Sequence, residues 1–122
     1  DRDTVVGTIH TKAYHHSIGT HKNGKIARAD FEENFHIYSI EWYENQIDFF
    51  MDSEKYFTFK NEEKTFNEWP FDKKFYLILN LAVGGDWGGK MGVDENIWPQ
   101  KMEVDYVRVY QNETIAKAQS GK

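Results

Sequence analysis

The chain contains no cysteine and only two prolines in 122 residues. Without cysteine there is no disulfide framework and no thiol nucleophile. No run approaches the roughly 20 consecutive apolar residues of a membrane span, and the first residues carry no basic-then-apolar signal segment. Positive charge is also scarce: 15 Lys and Arg stand against 20 Asp and Glu, a net charge of −5. Such a balance excludes the basic field that nucleic acid or an anionic membrane would need. Long alanine- or leucine-rich periods are missing as well. In their place aromatic residues make up 16% of the chain and β-branched residues are frequent, which favours β-structure. This length allows one domain, with an independent core only if most apolar residues face one interior.

The richest stretch is residues 69–110, WPFDKKFYLILNLAVGGDWGGKMGVDENIWPQKMEVDYVRVY. Two alternating runs, Phe75–Val83 and Met102–Tyr110, flank a loop holding five of the nine glycines, with Trp87 and Trp98. The pattern predicts two core strands presenting a glycine-rich loop. In the first run Leu77, Leu79 and Leu81 share the side expected to be core, opposite Tyr76, Ile78, Asn80 and Ala82. An unpaired amide buried at Asn80 would cost about 1–3 kcal/mol. Asn80 therefore belongs either in a hydrogen-bonded bulge or on a wet groove.

Nearer the start, Thr4–Lys12 (TVVGTIHTK) alternates as a strand, with Val5, Gly7, Ile9 and Thr11 on one face and Val6, Thr8, His10 and Lys12 on the other. The chain opens almost inside this strand, which points to sequence upstream. Residues 14–34 are polar and show no clear period, so they read as a long connection with one hairpin turn at Asn23-Gly24. His10, His15, His16 and His21 raise a zinc hypothesis. It is weakened by His15 and His16, which as neighbours would point to opposite sides of an extended segment, and solvated loop histidines are expected instead. From Phe35 the sequence predicts a three-stranded meander: FHIYSIEWY, a turn at Glu44-Asn45, QIDFFM, a turn at Asp52-Ser53, and KYFTFK. Residues 61–69 (NEEKTFNEW) read as a solvated loop.

Two motif-like strings fail on chemistry. Gly84-Gly85-Asp86-Trp87-Gly88-Gly89-Lys90 fits G-x-x-x-x-G-K, but Met91 stands where a phosphate loop needs Ser or Thr for magnesium, and Trp87 crowds the loop. Glycines folding the backbone around Trp87 explain it better. Glu103 and Asp105 lie at strand spacing, yet Arg108 occupies the third position beyond Asp105. A retaining glycosidase needs two carboxyls about 5–5.5 Å apart, one as nucleophile and one as acid/base. A nearby arginine would instead hold both ionised. No serine lies in a nucleophile motif.

Taken together, GTIHT (7–11), FHIYSIEW (35–42), WPFDKKFYLILNLAVGGDWGG (69–89) and WPQKMEVDYVRVYQ (98–111) resemble the C-terminal half of a laminarinase-type endo-β-1,3-glucanase of glycoside hydrolase family 16. The resemblance spans roughly residues 4–111. It implies an all-β fold, an incomplete antiparallel β-jelly-roll sandwich of the concanavalin A-like type. Residues 1–111 would be the C-terminal part of the domain and 112–122 a polar tail or linker. It also implies an open cleft for β-1,3- or mixed β-1,3/1,4-glucan and a retaining mechanism. The catalytic strand, E-x-D-x-x-E or E-x-D-x-E, would lie just upstream of GTIHT and has no equivalent here, so no catalytic residue is assigned and the chain alone is expected to be inactive. What remains is cleft wall: Thr8, His10, Asn80 and Trp87 are the substrate-binding candidates, the last through ring stacking on a sugar. Asp105 matches a ligand of a structural calcium, a metal suited to oxygen donors; no organic cofactor is implied. The expected partners are a β-glucan polysaccharide and either a complementary N-terminal segment or a second copy of the chain, with a secreted or periplasmic location. Two other readings stay open, a non-catalytic β-glucan-binding module and a purely structural β-domain.

Overall fold

The computed structural model of the chain describes residues 3–114. The chain divides into two compact units, Asp1–Tyr76 and Leu77–Lys122. The outer part of the expected polar tail, residues 115–122, lies outside the described residues.

The first unit is all-β, with strands β1 (Thr4–Ile9), β2 (Lys22–Ala27), β3 (Tyr38–Trp42), β4 (Gln46–Met51) and β5 (Glu54–Lys60). β1 and β2 form one antiparallel ladder, from Thr4 opposite Ala27 to Ile9 opposite Lys22. β3, β4 and β5 form a second antiparallel sheet in that order, the meander read from the sequence. Its tight turn falls at Asp52-Ser53, both with positive φ, as a two-residue hairpin connection requires.

β2 corrects the reading of residues 14–34. Asn23-Gly24 is not a turn, because both residues lie within the strand. Gly24 pairs with Gly7 across the ladder, and each is where the other sheet comes closest. A Cβ on Gly24 would stand 2.5 Å from Phe57 Cβ, and one on Gly7 2.8 Å from Phe49 Cδ1. The two glycines let the layers meet. The turn chemistry of Asn-Gly is overridden by this packing demand.

The core between the layers is Ile9, Tyr14, Ile47, Phe59 and Trp69, with Phe49, Phe57 and Phe71 packed against it. Phe59 stacks on Trp69 at 5.4 Å between ring centres, and the Tyr14 hydroxyl bonds to Glu62. Gly7 and Ile9 are buried while Thr8 is half-buried and His10 exposed, which is the alternation expected for β1. On β3 the pattern is incomplete. Tyr38, Ile40 and Trp42 pair with Met51, Phe49 and Ile47 and so share their face, yet they are 53%, 52% and 44% exposed.

The second unit departs further from expectation. Phe75–Val83 and Met102–Tyr110 join no ladder among the described residues. The leucine side is not core: Leu77, Leu79 and Leu81 are 64%, 60% and 49% exposed. The physical reason is that a strand exists only as a member of a ladder, since its N–H and C=O groups must be paired sideways. The sequence pattern is that of strands, but among the described residues the two segments have no neighbour to pair with. Between them, Gly85–Gly88 makes one helical turn, and Gly84, Gly85 and Gly92 hold positive φ. A second short turn, Glu95–Ile97, is capped by Asp94, whose carboxylate accepts the Asn96 N–H at 2.9 Å.

Candidate functional site

β1 delivers Thr8 and His10 outward because the residues between and before them, Ile9 and Gly7, are drawn into the core. Both candidates therefore occupy one face of the first unit. Asn80, Trp87 and Asp105 belong to the second unit. Asn80 is exposed on the segment that lacks a ladder, so it is not a buried bulge amide. The Trp87 backbone lies in the Gly85–Gly88 turn, and its side chain lies outside the described residues. No phosphate-binding loop is formed: the glycines close on one another, with the Gly89 N–H donating to Gly85 O at 2.9 Å and the Gly92 N–H to Gly89 O at 2.8 Å. Beside this loop is a groove of about 270 Å³ lined by Val83, Gly84, Val93, Ile97, Trp98 and Gln100.

Asp105 is exposed. Among the described residues no group of three or more His, Cys, Asp or Glu is arranged to hold a metal ion, whereas calcium takes about 6–8 oxygen ligands. Asp105 alone would supply one of those ligands, and the expected calcium site would be completed by groups other than these side chains. Nor does Arg108 hold the Glu103 and Asp105 pair as expected. Arg108 lies over the Tyr106 ring, 4.1 Å from its centre, and Glu103 is paired with Lys101 at 2.8 Å.

The histidines differ most from the sequence reading. His15 is extended, at φ −138° and ψ 142°, while His16 opens a 3₁₀ turn, His16–Ile18. That change of conformation between neighbours brings their rings into a stack with centres 4.4 Å apart instead of onto opposite sides. The His15 Nδ1 accepts the Ser17 N–H at 3.2 Å, which caps the turn. His10 and His21 flank the end of the β1–β2 ladder at Ile9 and Lys22, and their rings stack at 6.1 Å. His10 also meets His16 at 5.5 Å and His15 at 5.8 Å. Three imidazoles thus crowd around one substrate-binding candidate, His10. The sequence signal for this was present in the four histidines themselves, but seeing it needed the local switch at residue 16.

Two further polar groups went unremarked in the sequence. Asp48 is buried on β4, where Thr58 Oγ1 donates to it at 2.5 Å and Gln46 Nε2 at 2.9 Å, with Lys55 Nζ at 3.5 Å. The Thr58 bond above all holds this carboxyl below its ordinary range, against the opposing effect of burial. His36 Nδ1 lies 2.6 Å from Asp52 Oδ2. Its Nε2 is 3.5 Å from Asp30 Oδ1, an electrostatic contact without hydrogen-bond alignment. The Asp52 bond, chiefly, raises the His36 pKa.

Comparison with known proteins places this framework. The chain is 48% identical over 113 residues to the beta-glucanase of Rhodothermus marinus, covering 88% of this chain and 40% of the relative. The crystal structure of a mutant of SCLam, a non-specific endo-β-1,3(4)-glucanase, carries 1,3-β-D-cellobiosyl-glucose at its active site. It matches with a TM-score of 0.85 at 49% identity, over 90% of this chain and 43% of that one. The laminarinase of Rhodothermus marinus matches with a TM-score of 0.77 at 46% identity, over 80% and 41%. The chain thus spans about 40% of the length of the first curated relative it matches, and its fold is the expected antiparallel β-jelly roll in part. With residues 2–108 matching the family model of that description, the chain belongs to the glycosyl hydrolases of family 16.

Proposed function

We propose that this chain is part of an endo-β-1,3(4)-glucanase that hydrolyses laminarin-type polysaccharide with retention, and that it supplies cleft wall while the catalytic carboxylates come from outside it. The observation that carries this reading is the likeness, at 49% identity, to a glucanase holding a β-glucan fragment at its active site. Within the chain, the closest approach to a paired-acid strand is Glu103-Val104-Asp105-Tyr106-Val107-Arg108, where arginine stands in place of the second acid that the mechanism needs. Thr8 and His10 offer hydrogen bonds to sugar hydroxyls from β1, Asn80 offers an amide, and Trp87 a ring for stacking. A structural calcium enters this proposal only with Asp105 as one ligand and the rest from outside the chain. As part of such a glucanase the protein acts outside the cytoplasm, either secreted or periplasmic. Among the described residues no helix is long and apolar enough to cross a membrane.

The partner that completes the chain is a complementary N-terminal segment. It supplies neighbours for Phe75–Val83 and Met102–Tyr110 and covers the exposed face of β3. The test is to titrate laminarin into this chain joined to that segment and follow tryptophan fluorescence and reducing ends together. A glucanase gives both signals. Fluorescence change without turnover favours the binding-module reading, and neither signal favours a structural β-domain.

A further inference from the structure

We propose that His15, His16 and His21, whose rings crowd that of His10 at the end of β1, act as positioning residues for it and set the acid limit of β-glucan binding by the β1 wall. The inference rests on the reading of Thr8 and His10 as sugar-facing residues. It adds to that reading a role for three histidines that touch no substrate.

The geometry is that of a coupled set. The rings of His15, His16 and His21 lie 5.8, 5.5 and 6.1 Å from that of His10. Four imidazoles this close cannot all take up protons independently, because each charge acquired disfavours the next. His10 is at the centre of these contacts. Although the residue is exposed overall, its ring is partly desolvated; that desolvation, followed by the charges of His16, His15 and His21, lowers its pKa.

Neighbouring charges do not undo this. Lys12 and Lys22 in the same connection are cations, and Lys22 Nζ lies 4.7 Å over the Tyr14 ring. Glu62 is engaged by the Tyr14 hydroxyl and by Lys64. Among the described residues the charges acting on His10 are the three imidazoles, with no carboxylate to favour its protonation.

The chemical consequence follows from donor and acceptor count. A neutral imidazole donates through one nitrogen and accepts through the other, matching a sugar hydroxyl that does both; imidazolium only donates. Protonation of His10 therefore removes an acceptor from the wall. Positive charge on the neighbouring imidazoles opposes that protonation. His15 is tied into the turn through Ser17, so His16 and His21 are the positions to change.

The test uses this chain joined to its complementary segment, with laminarin as substrate. Ring proton resonances give each histidine's titration midpoint, and KM and kcat are recorded from about pH 7.5 to about pH 5. In the parent, His10 titrates below the ordinary imidazole value. In the double variant His16→Gln, His21→Asn its midpoint rises by about half a unit, and at about pH 5.5 KM is about twofold higher than in the parent. KM at neutral pH and the kcat profile are unchanged. A His10 midpoint that does not move in the variant overturns the proposal, as does a midpoint that moves while the KM profile stays put. If laminarin is neither bound nor turned over at any pH, the glucan reading itself fails, and the ring titration then still reports the coupling separately.

Discussion

Asp48 is the residue whose environment most constrains what can replace it. Its carboxylate is buried and accepts hydrogen bonds from Thr58 and Gln46, so truncation leaves two donors facing a dry interior. Asp48→Ala is expected to destabilise the fold by about 2–3 kcal/mol, the range for breaking hydrogen bonds to a buried charged group, read from the urea midpoint. The pH sign follows from the direction of its shift. A carboxyl held below its ordinary value contributes stability that is present above the unfolded pKa and lost as pH falls through the folded one. His36 works in the opposite sense: its pKa is raised, chiefly by Asp52. Its contribution is full below the unfolded imidazole value and disappears as pH rises through the raised one. The thermal midpoint should therefore fall as pH rises from the ordinary imidazole range through the raised His36 value, and His36→Gln should flatten that part of the curve. An unchanged slope in the variant would show that the His36–Asp52 pair is not its source.

At the scale of elements, the sandwich rests on a pair of glycines. Gly24→Ala pushes a methyl to 2.5 Å from Phe57 Cβ, and a clash against a ring's own stem is not relieved by rotating a side-chain tip. Overpacking of this kind costs about 1–3 kcal/mol, and the loss should appear in chemical denaturation. The control is Gly19→Asn. Gly19 has open space for a Cβ but holds φ of 69°, a conformation asparagine tolerates, so this change costs less.

The same elements mark how far the sequence could be read. The alternation of β1 and the meander from β3 to β5 were legible, because a period of two over half-buried strands is a local signal. β2 was not, since Asn23-Gly24 carries turn chemistry and only the approach of Phe57 explains a glycine there. Phe75–Val83 and Met102–Tyr110 were legible as strands by pattern, but a ladder needs a neighbour, and pattern says nothing of whether one is present. Of the candidate site, Thr8 and His10 follow from the alternation of β1 and the family resemblance. The convergence of His15, His16 and His21 on His10 depends on a conformational switch at one residue, which no periodicity announces.

For the whole molecule, the decisive feature is apolar surface without cover. Tyr38, Ile40 and Trp42 on β3 and Leu77, Leu79 and Leu81 in the second unit are each between 44% and 64% exposed. Contiguous apolar surface and unpaired strands are association sites. The chain alone should bind a hydrophobic dye such as anilinonaphthalene sulfonate strongly and self-associate on size-exclusion chromatography. Adding the complementary N-terminal segment should suppress both, and a monodisperse, dye-silent chain would contradict this view of its surface.

The most direct test of the account is release of reducing ends from laminarin, measured for this chain alone and again after the complementary segment is added. The chain alone should give no release above a boiled control, and complementation should give sustained release. Turnover by the chain alone, or none in the complemented protein, would contradict it.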